Sequence, residues 1–359
     1  MSKAVHGGNI EELSRIYNID KSKLLDFSAN INPLGISSKV KESLIEAIKE
    51  AKVYPDIKYH NLKSVISEFE DVSLENIALG NGAAESIFNL LRAVKPRKAL
   101  IPAPTFSEYE EAVLSSGGEV KYYFLKEDND FNIKEDILDY IDKDIDIVFI
   151  CNPNNPTGKL TGKDIIVKIL EKAKINNAFV ILDESFLDFI KDYNEYSVKE
   201  FLSKYNNLVI IKSLTKIFAI PGIRIGYTLT KNKDLLEEIN KVTSPWNINI
   251  FAEKATIAAL NEKEYISKTV EYIEEEKDYL YSKLKSFEGL KVFKPSVNYI
   301  MFKALVDIDL KGELLKKNIV VRSCSSYIGL DKSYYRIAVR TREENERIIN
   351  GLNCILSIH

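Results

Sequence analysis

Histidine and cysteine are scarce in these 359 residues, with three of each, and tryptophan occurs once. His6, His60 and His359 are too few for a histidine-rich metal site, so no metal is expected, and a histidine-based triad would have to use His6 or His60. Cys151, Cys324 and Cys354 are odd in number and lack paired spacing, and the N-terminus has no basic-then-apolar signal pattern. A reduced, cytoplasmic protein is expected. No segment approaches the ~18 apolar residues of a membrane span. With 50 basic and 53 acidic residues the formal net charge is -3, which leaves no positive surplus to neutralise a nucleic acid backbone. At 45% hydrophobic residues and a mean hydropathy of -0.15 the chain can bury a large core. Its length suggests one large domain with a smaller one attached.

Arginine is the informative scarcity. The 50 cations divide into 41 lysines and 9 arginines, so a chain that defaults to lysine at its surface places arginine where a planar, bidentate fork is useful. Five of the nine fall near the C-terminus: Arg322, Arg336, Arg340, Arg342 and Arg347. Arg342 and Arg347 sit in the acidic run TREENER and read equally well as a solvated helix face. Arg322 and Arg336 stand among apolar or small neighbours and are better candidates for binding an anion.

From 76 to 213 a short apolar run, a turn and a longer amphipathic stretch recur, the pattern of a parallel sheet covered by helices. Strands are expected at 76–79, 99–101, 119–124, 145–151, 178–182 and 208–211. Helical spacing appears in Val40, Leu44 and Ile48, and again in Ile273, Leu280, Leu284 and Phe287 within a helix expected over 261–287. A smaller α+β unit follows, with strands near 299–302, 319–321 and 335–339. The organisation expected is an N-terminal segment 1–35 that contributes to the active site, a large domain 36–245 and a small C-terminal domain 246–359.

Four features along this pattern carry chemistry. Gly80-Asn81-Gly82-Ala83-Ala84-Glu85 joins a strand to a helix, where free N–H groups and the helix dipole favour an anion, although glycine at such a turn is also commonplace. Asn152-Pro153-Asn154-Asn155-Pro156-Thr157-Gly158 is a polar turn stiffened by two prolines, able to hold a side-chain amide in place or to serve as a plain loop. Asp183 ends a strand, where an acid in an open α/β sheet commonly faces the ligand. Ser213-Leu214-Thr215-Lys216 leads into an apolar run that contains Arg224, and a lysine desolvated there has a neutral amine available for imine chemistry.

In this order, the four features resemble the fold-type I pyridoxal-phosphate enzymes, the aminotransferase superfamily. His6-Gly7-Gly8-Asn9-Ile10, the run from Asp26 to Gly35, Pro104-Thr105-Phe106-Ser107-Glu108-Tyr109, Pro221-Gly222-Ile223-Arg224, Arg322-Ser323-Cys324 and Tyr334-Tyr335-Arg336 narrow the resemblance to the threonine-phosphate decarboxylases of cobalamin biosynthesis. Histidinol-phosphate aminotransferases are the sister group. The resemblance implies a mainly parallel sheet covered by helices, a homodimer with shared active sites, and pyridoxal 5'-phosphate as cofactor.

Residue by residue, it implies a covalent link of the cofactor to Lys216, which also shuttles protons, and pairing of Asp183 with the ring nitrogen. Asn155 would hydrogen-bond the ring hydroxyl and Phe106 would stack on the ring. The phosphate would lie at Gly82, Ala83 and Ala84 with Ser213 and Arg224, reached by Tyr54 of the neighbouring subunit. Arg336 would meet the substrate carboxylate and Arg322 a phosphate ester, with Asn155, His6 and Asn32 as further substrate contacts. Two departures stand out. Phe186 replaces a tyrosine common in aminotransferases, and Arg340 stands where the sister group tends to have glycine; Arg340 is expected to help turn the substrate. The activity implied is decarboxylation of threonine phosphate, the alternatives being a histidinol-phosphate-type aminotransferase or a catalytically silent protein of the same fold.

Overall fold

Runs such as 147–151 are apolar at successive positions, and a strand of that kind is stable only where both faces of its sheet are covered. The computed structural model, which describes residues 7–357, places them so. Seven strands form one sheet: β1 (Ile77–Gly80), β2 (Lys98–Ala103), β3 (Glu119–Phe124), β4 (Ile147–Cys151), β5 (Phe179–Asp183), β6 (Leu208–Ser213) and β7 (Gly226–Leu229). Their order is β1-β7-β6-β5-β4-β2-β3, and every neighbouring pair is parallel except those of β7 with β1 and β6. The six strands expected from the sequence are present with ends within two residues of those expected. β7 was not anticipated, because its four residues follow the lysine motif without a turn signal of their own.

Alternation along each strand divides the core in two. Val148 and Ile150 pack in one cluster with Ile166, Ile169 and Leu170 of helix Lys163–Ile175. Ile147 and Phe149 pack in the other with Ile87, Leu90 and Leu91 of helix Gly82–Val94.

After the sheet, helix Lys263–Lys285 buries Ile273, Leu280 and Leu284 fully, while Phe287 lies past its end and is half-buried. A second, antiparallel sheet follows in the order β10-β11-β9-β8, from β8 (Leu290–Val292), β9 (Tyr299–Ala304), β10 (Arg322–Ser323) and β11 (Tyr334–Ala338). The strand expected at 319–321 divides: Ile319–Val320 pairs in parallel with Leu25–Asp26, and β10 pairs with β11. The segment before residue 35 is thereby tied to the C-terminal unit. The helix expected from Val40, Leu44 and Ile48 is present. Val40 is buried and Leu44 half-buried in helix Ser38–Glu50, but Ile48 is 64% exposed and Ile45 62% exposed, so the helix has a second apolar face turned outward.

The same alternation sorts charge at the strand ends. Asp183 and Ser213 face one side of the sheet, whereas Glu184 and Lys212 face the other. The Lys212 ammonium, with no exposed surface, donates to Asp188 Oδ1 at 3.0 Å and to the Tyr193 hydroxyl at 3.2 Å. Glu70 and Glu184 lie 3.8 Å from it. Glu70 also accepts from the Tyr227 hydroxyl at 2.5 Å and from Lys199 at 3.3 Å. Three carboxylates thus surround two ammonium groups, and burial pushes the Glu184 carboxyl up to about 7.

Removing the central cation should leave buried carboxylates uncompensated. Lys212→Met is expected to lower the urea midpoint of unfolding by the equivalent of about 3–5 kcal/mol. Lys21→Met, which breaks an exposed pair with Glu11, should cost under ~1 kcal/mol. Equal, small losses would mean that the cluster does not hold the strand ends.

Candidate active site

Open α/β sheets place ligands beyond the carboxyl ends of their strands. A cavity of about 400 Å³ opens there, with Cys151, Asp183 and Ser213, the last residues of β4, β5 and β6, on its wall. β10 and β11 close the opposite wall through Arg322 and Arg336, and Ser28 to Ile31 line it from the N-terminal segment together with Gly7.

One end of the cavity is built for an anion. Helix Gly82–Val94 starts there with Ala83 and Ala84 on the wall, so its first N–H groups and dipole face inward. Gly82 has φ +84°, and a Cβ at that position would run into the Arg224 guanidinium. Gly82 therefore serves by letting Arg224 approach and is not itself on the wall. The Asn81 N–H, which precedes this row, is taken by Glu85 Oε2 at 2.7 Å. Ser213 Oγ and Thr215 Oγ1 stand 2.9 Å apart on the same wall.

Lys216 lies between this end and the arginines. Burial lowers its pKa to about 8, and the positive charges of Arg224 and Arg336 push the same way while Asp183 opposes them. At neutral pH a substantial fraction of neutral amine is therefore available. Asp183 is 4% exposed, and its two oxygens accept from Ser185 N–H at 2.9 Å and from the Tyr109 hydroxyl at 2.7 Å. Burial raises its pKa and both hydrogen bonds resist the rise. Phe106 lines the cavity edge-on to Tyr109, and Phe186 lines it edge-on to Tyr299.

Arg322 and Arg336 are register partners on β10 and β11, both at least nine-tenths buried. Arg336 donates through Nη1 to Asn155 Oδ1 and through Nη2 to Ser28 O at 2.8 Å; Arg322 donates to Ser326 Oγ at 2.9 Å. These acceptors are neutral, and the Nε of each arginine has no partner. Two buried cations with spare donors are a demand for anions. Because Asn155 Oδ1 is taken, its Nδ2 donor remains for a ligand.

The structure thus brings Ala83, Ala84, Phe106, Asn155, Asp183, Ser213, Lys216, Arg224, Arg322 and Arg336 around one cavity. Other expected residues lie elsewhere. Asn32 is buried behind the site, its Nδ2 donating to Ile217 O, Tyr265 Oη and Thr269 Oγ1 and its Oδ1 accepting from Leu34 N–H. It braces the Lys216 loop, its N–H donating to Lys216 O at 3.1 Å, and it does not line the cavity. Arg340 is engaged by Asp26 O at 3.0 Å and Glu344 at 2.7 Å, away from the cavity, so it does not turn the substrate. Tyr54 is 78% exposed, its ring tilted against Trp246 outside the cavity of its own chain. His6 lies outside the described residues. Tyr109 and Thr215, which also line the cavity, stand inside motifs quoted from the sequence but had been given no role there.

With this geometry in view, comparison with known proteins is specific. The threonine-phosphate decarboxylase of Salmonella typhimurium is 36% identical over 355 residues, 99% of this chain and 97% of that protein. The histidinol-phosphate aminotransferase of Methanococcus aeolicus is 32% identical over 98% of this chain and 95% of that protein. The crystal structure of the histidinol-phosphate aminotransferase from Clostridium acetobutylicum, 35% identical, superposes with a TM-score of 0.88 over 94% of this chain and 100% of that one. The model of the family described as aminotransferase class I and II matches residues 22–352, and the chain belongs to that family.

Proposed function

We propose that the protein is a pyridoxal 5'-phosphate-dependent decarboxylase that converts L-threonine O-3-phosphate to (R)-1-aminopropan-2-yl phosphate for the cobalamin side arm. The observation that carries this reading is the pair of buried arginines in register, Arg322 and Arg336, which line the same cavity as Lys216 and whose hydrogen-bond acceptors are all neutral. Two fixed guanidinium groups suit a substrate that bears both a carboxylate and a phosphate ester. The near-full-length likeness to the Salmonella typhimurium decarboxylase supports it.

The residues of the wall fit the cofactor. The helix start at Ala83 and Ala84 with Arg224 and Ser213 suits its phosphate, and the low-pKa Lys216 amine suits covalent attachment of its aldehyde. Asp183 is available for the ring nitrogen, Asn155 Nδ2 for the ring hydroxyl and Phe106 for the ring face. When bound, the cofactor supplies an electron sink for a bond broken at the substrate Cα. The chain's own groups decide which bond that is, by how the two arginines orient the carboxylate against the Lys216 end of the cavity. Lys216 Nζ is the group placed to return a proton to Cα.

The second apolar face of helix Ser38–Glu50, with Ile45 and Ile48 outward, and the exposed Val53 and Tyr54 after it support association of two subunits, Tyr54 reaching the phosphate end of the partner's cavity. No helix among the described residues is long and apolar enough to cross a membrane, which agrees with a cytoplasmic enzyme.

Three outcomes follow. Incubated with threonine phosphate, the enzyme should release carbon dioxide and a phosphorylated aminopropanol without transferring an amino group; glutamate formed from histidinol phosphate and 2-oxoglutarate, without carbon dioxide, would instead make it an aminotransferase. Arg322→Lys should raise KM for the phosphorylated substrate roughly ten- to hundredfold, the ~1.5–3 kcal/mol of a charge-assisted hydrogen bond, while Arg15→Lys leaves it unchanged. Because only the neutral amine attacks an aldehyde, the rate at which apoprotein turns yellow with pyridoxal phosphate should rise with pH and level off above about 8, the lowered Lys216 value. A rate still climbing toward pH 10 would show an ordinary lysine.

A further inference from the structure

We infer that Tyr109 is a positioning residue for the reaction, its hydroxyl holding the Asp183 carboxylate aimed into the cavity. The inference rests on the reading of Asp183 as the partner of the cofactor's ring nitrogen. Tyr109 has no exposed surface, and its ring is stacked on Phe149 with centroids 4.7 Å apart and planes at 15°. Helix Glu108–Ser115, where Tyr109 stands second, cannot shift without breaking that stack and the edge contact with Phe106. The phenol is therefore fixed where it meets Asp183 Oδ2 at 2.7 Å, and Ser185 N–H fixes Oδ1 at 2.9 Å. With one donor on each oxygen the carboxylate cannot rotate, and its remaining lone pairs are left for the cavity.

The same contact governs charge. Burial favours the neutral carboxylic acid, which can neither attract a proton to a ring nitrogen nor balance it once there. The groups around Asp183 are the Cys151 thiol on β4, the Tyr299 phenol on β9, the Lys212 ammonium behind the sheet and the Lys216 amine. Burial raises the thiol and both phenols, Tyr109 included, so they stay neutral in the working range. Tyr109 is thus a permanent donor. Its loss removes a hydrogen bond that only the ionised carboxylate fully uses.

The test is a double-mutant cycle on the full-length protein with Tyr109→Phe, Asp183→Asn and the pair. With aspartate carboxyls labelled with carbon-13, the Asp183→Asn spectrum identifies the Asp183 resonance, and its titration in apoprotein should move up by about one to two pH units in Tyr109→Phe. The holoenzyme should release pyridoxal phosphate roughly tenfold more readily in Tyr109→Phe than in wild type, and equally in Asp183→Asn with or without the second change. A packing role would weaken cofactor binding alike in both backgrounds and leave the titration in place, and that result overturns the inference. Should Tyr109→Phe fold poorly, 3,5-difluorotyrosine at 109 keeps the ring while strengthening the donor, and the Asp183 midpoint should then fall; an unmoved midpoint also overturns the inference. If the wild-type protein takes up no pyridoxal phosphate, the decarboxylase reading fails, while the apoprotein titration still tests the Tyr109–Asp183 contact.

Discussion

Burying an ammonium group is unfavourable by several kcal/mol unless carboxylates surround it, and Lys212 is where this chain meets that condition. Its four partners come from three places: Glu70 at the end of a helix, Glu184 after β5, and Asp188 and Tyr193 in the connection that follows. Each contact fixes the end of an element against the ends of β5 and β6. The residues next to Glu184 and Lys212 in the chain are Asp183 and Ser213, turned by strand alternation onto the cavity. Rigidity in the ion cluster is thereby handed to the cavity one residue away. The physical division is simple: one face of the strand ends is held by buried charge, the other lines the cavity that holds Lys216.

On the open face the balance of charge is reversed. Arg224, Arg322, Arg336 and Lys216 share the wall with Asp183 and with the start of a helix. Burial is the main cause of the lowered Lys216 pKa, and the positive charges of Arg224 and Arg336 push the same way. Enclosure of the lysine and the charge placed around it thus act together on the one group here that can lose a proton.

How much of this was legible in the sequence depended on whether the signal was local. The strand 119–124 and the helix carrying Ile273, Leu280 and Leu284 are written in consecutive residues and appear as expected. So is the rarity of arginine, three of whose nine copies meet at one cavity. Asn32 and Arg340 lie away from the cavity for a common reason: each was carried over from the family resemblance, while its place here is set by a distant partner. Asn32 is claimed by Thr269 and Ile217, some two hundred residues away; Arg340 is claimed by Asp26 O. Ile48 keeps helical spacing, but spacing shows only that a face is apolar and not what covers it. Tyr109 was hidden because its value lies in one hydroxyl meeting an acid 74 positions on.

With the cofactor bound, the choice between losing carbon dioxide and exchanging an amino group would depend on how the chain's own groups orient the substituents at Cα. In this chain the holding groups stand on a sheet. β10 and β11 set Arg322 opposite Arg336, and a slip of one residue in that pairing would turn one guanidinium out of the cavity. Arg336 is further pinned by Asn155, from the loop after β4, and by Ser28 O from the N-terminal segment, itself joined to the C-terminal unit through Leu25–Asp26 and Ile319–Val320. The spacing between the two guanidinium groups is thus fixed by backbone hydrogen bonds, and their distance from Lys216 by the contacts between the two sheets. The register of two short strands therefore sets where both guanidinium groups stand in the cavity.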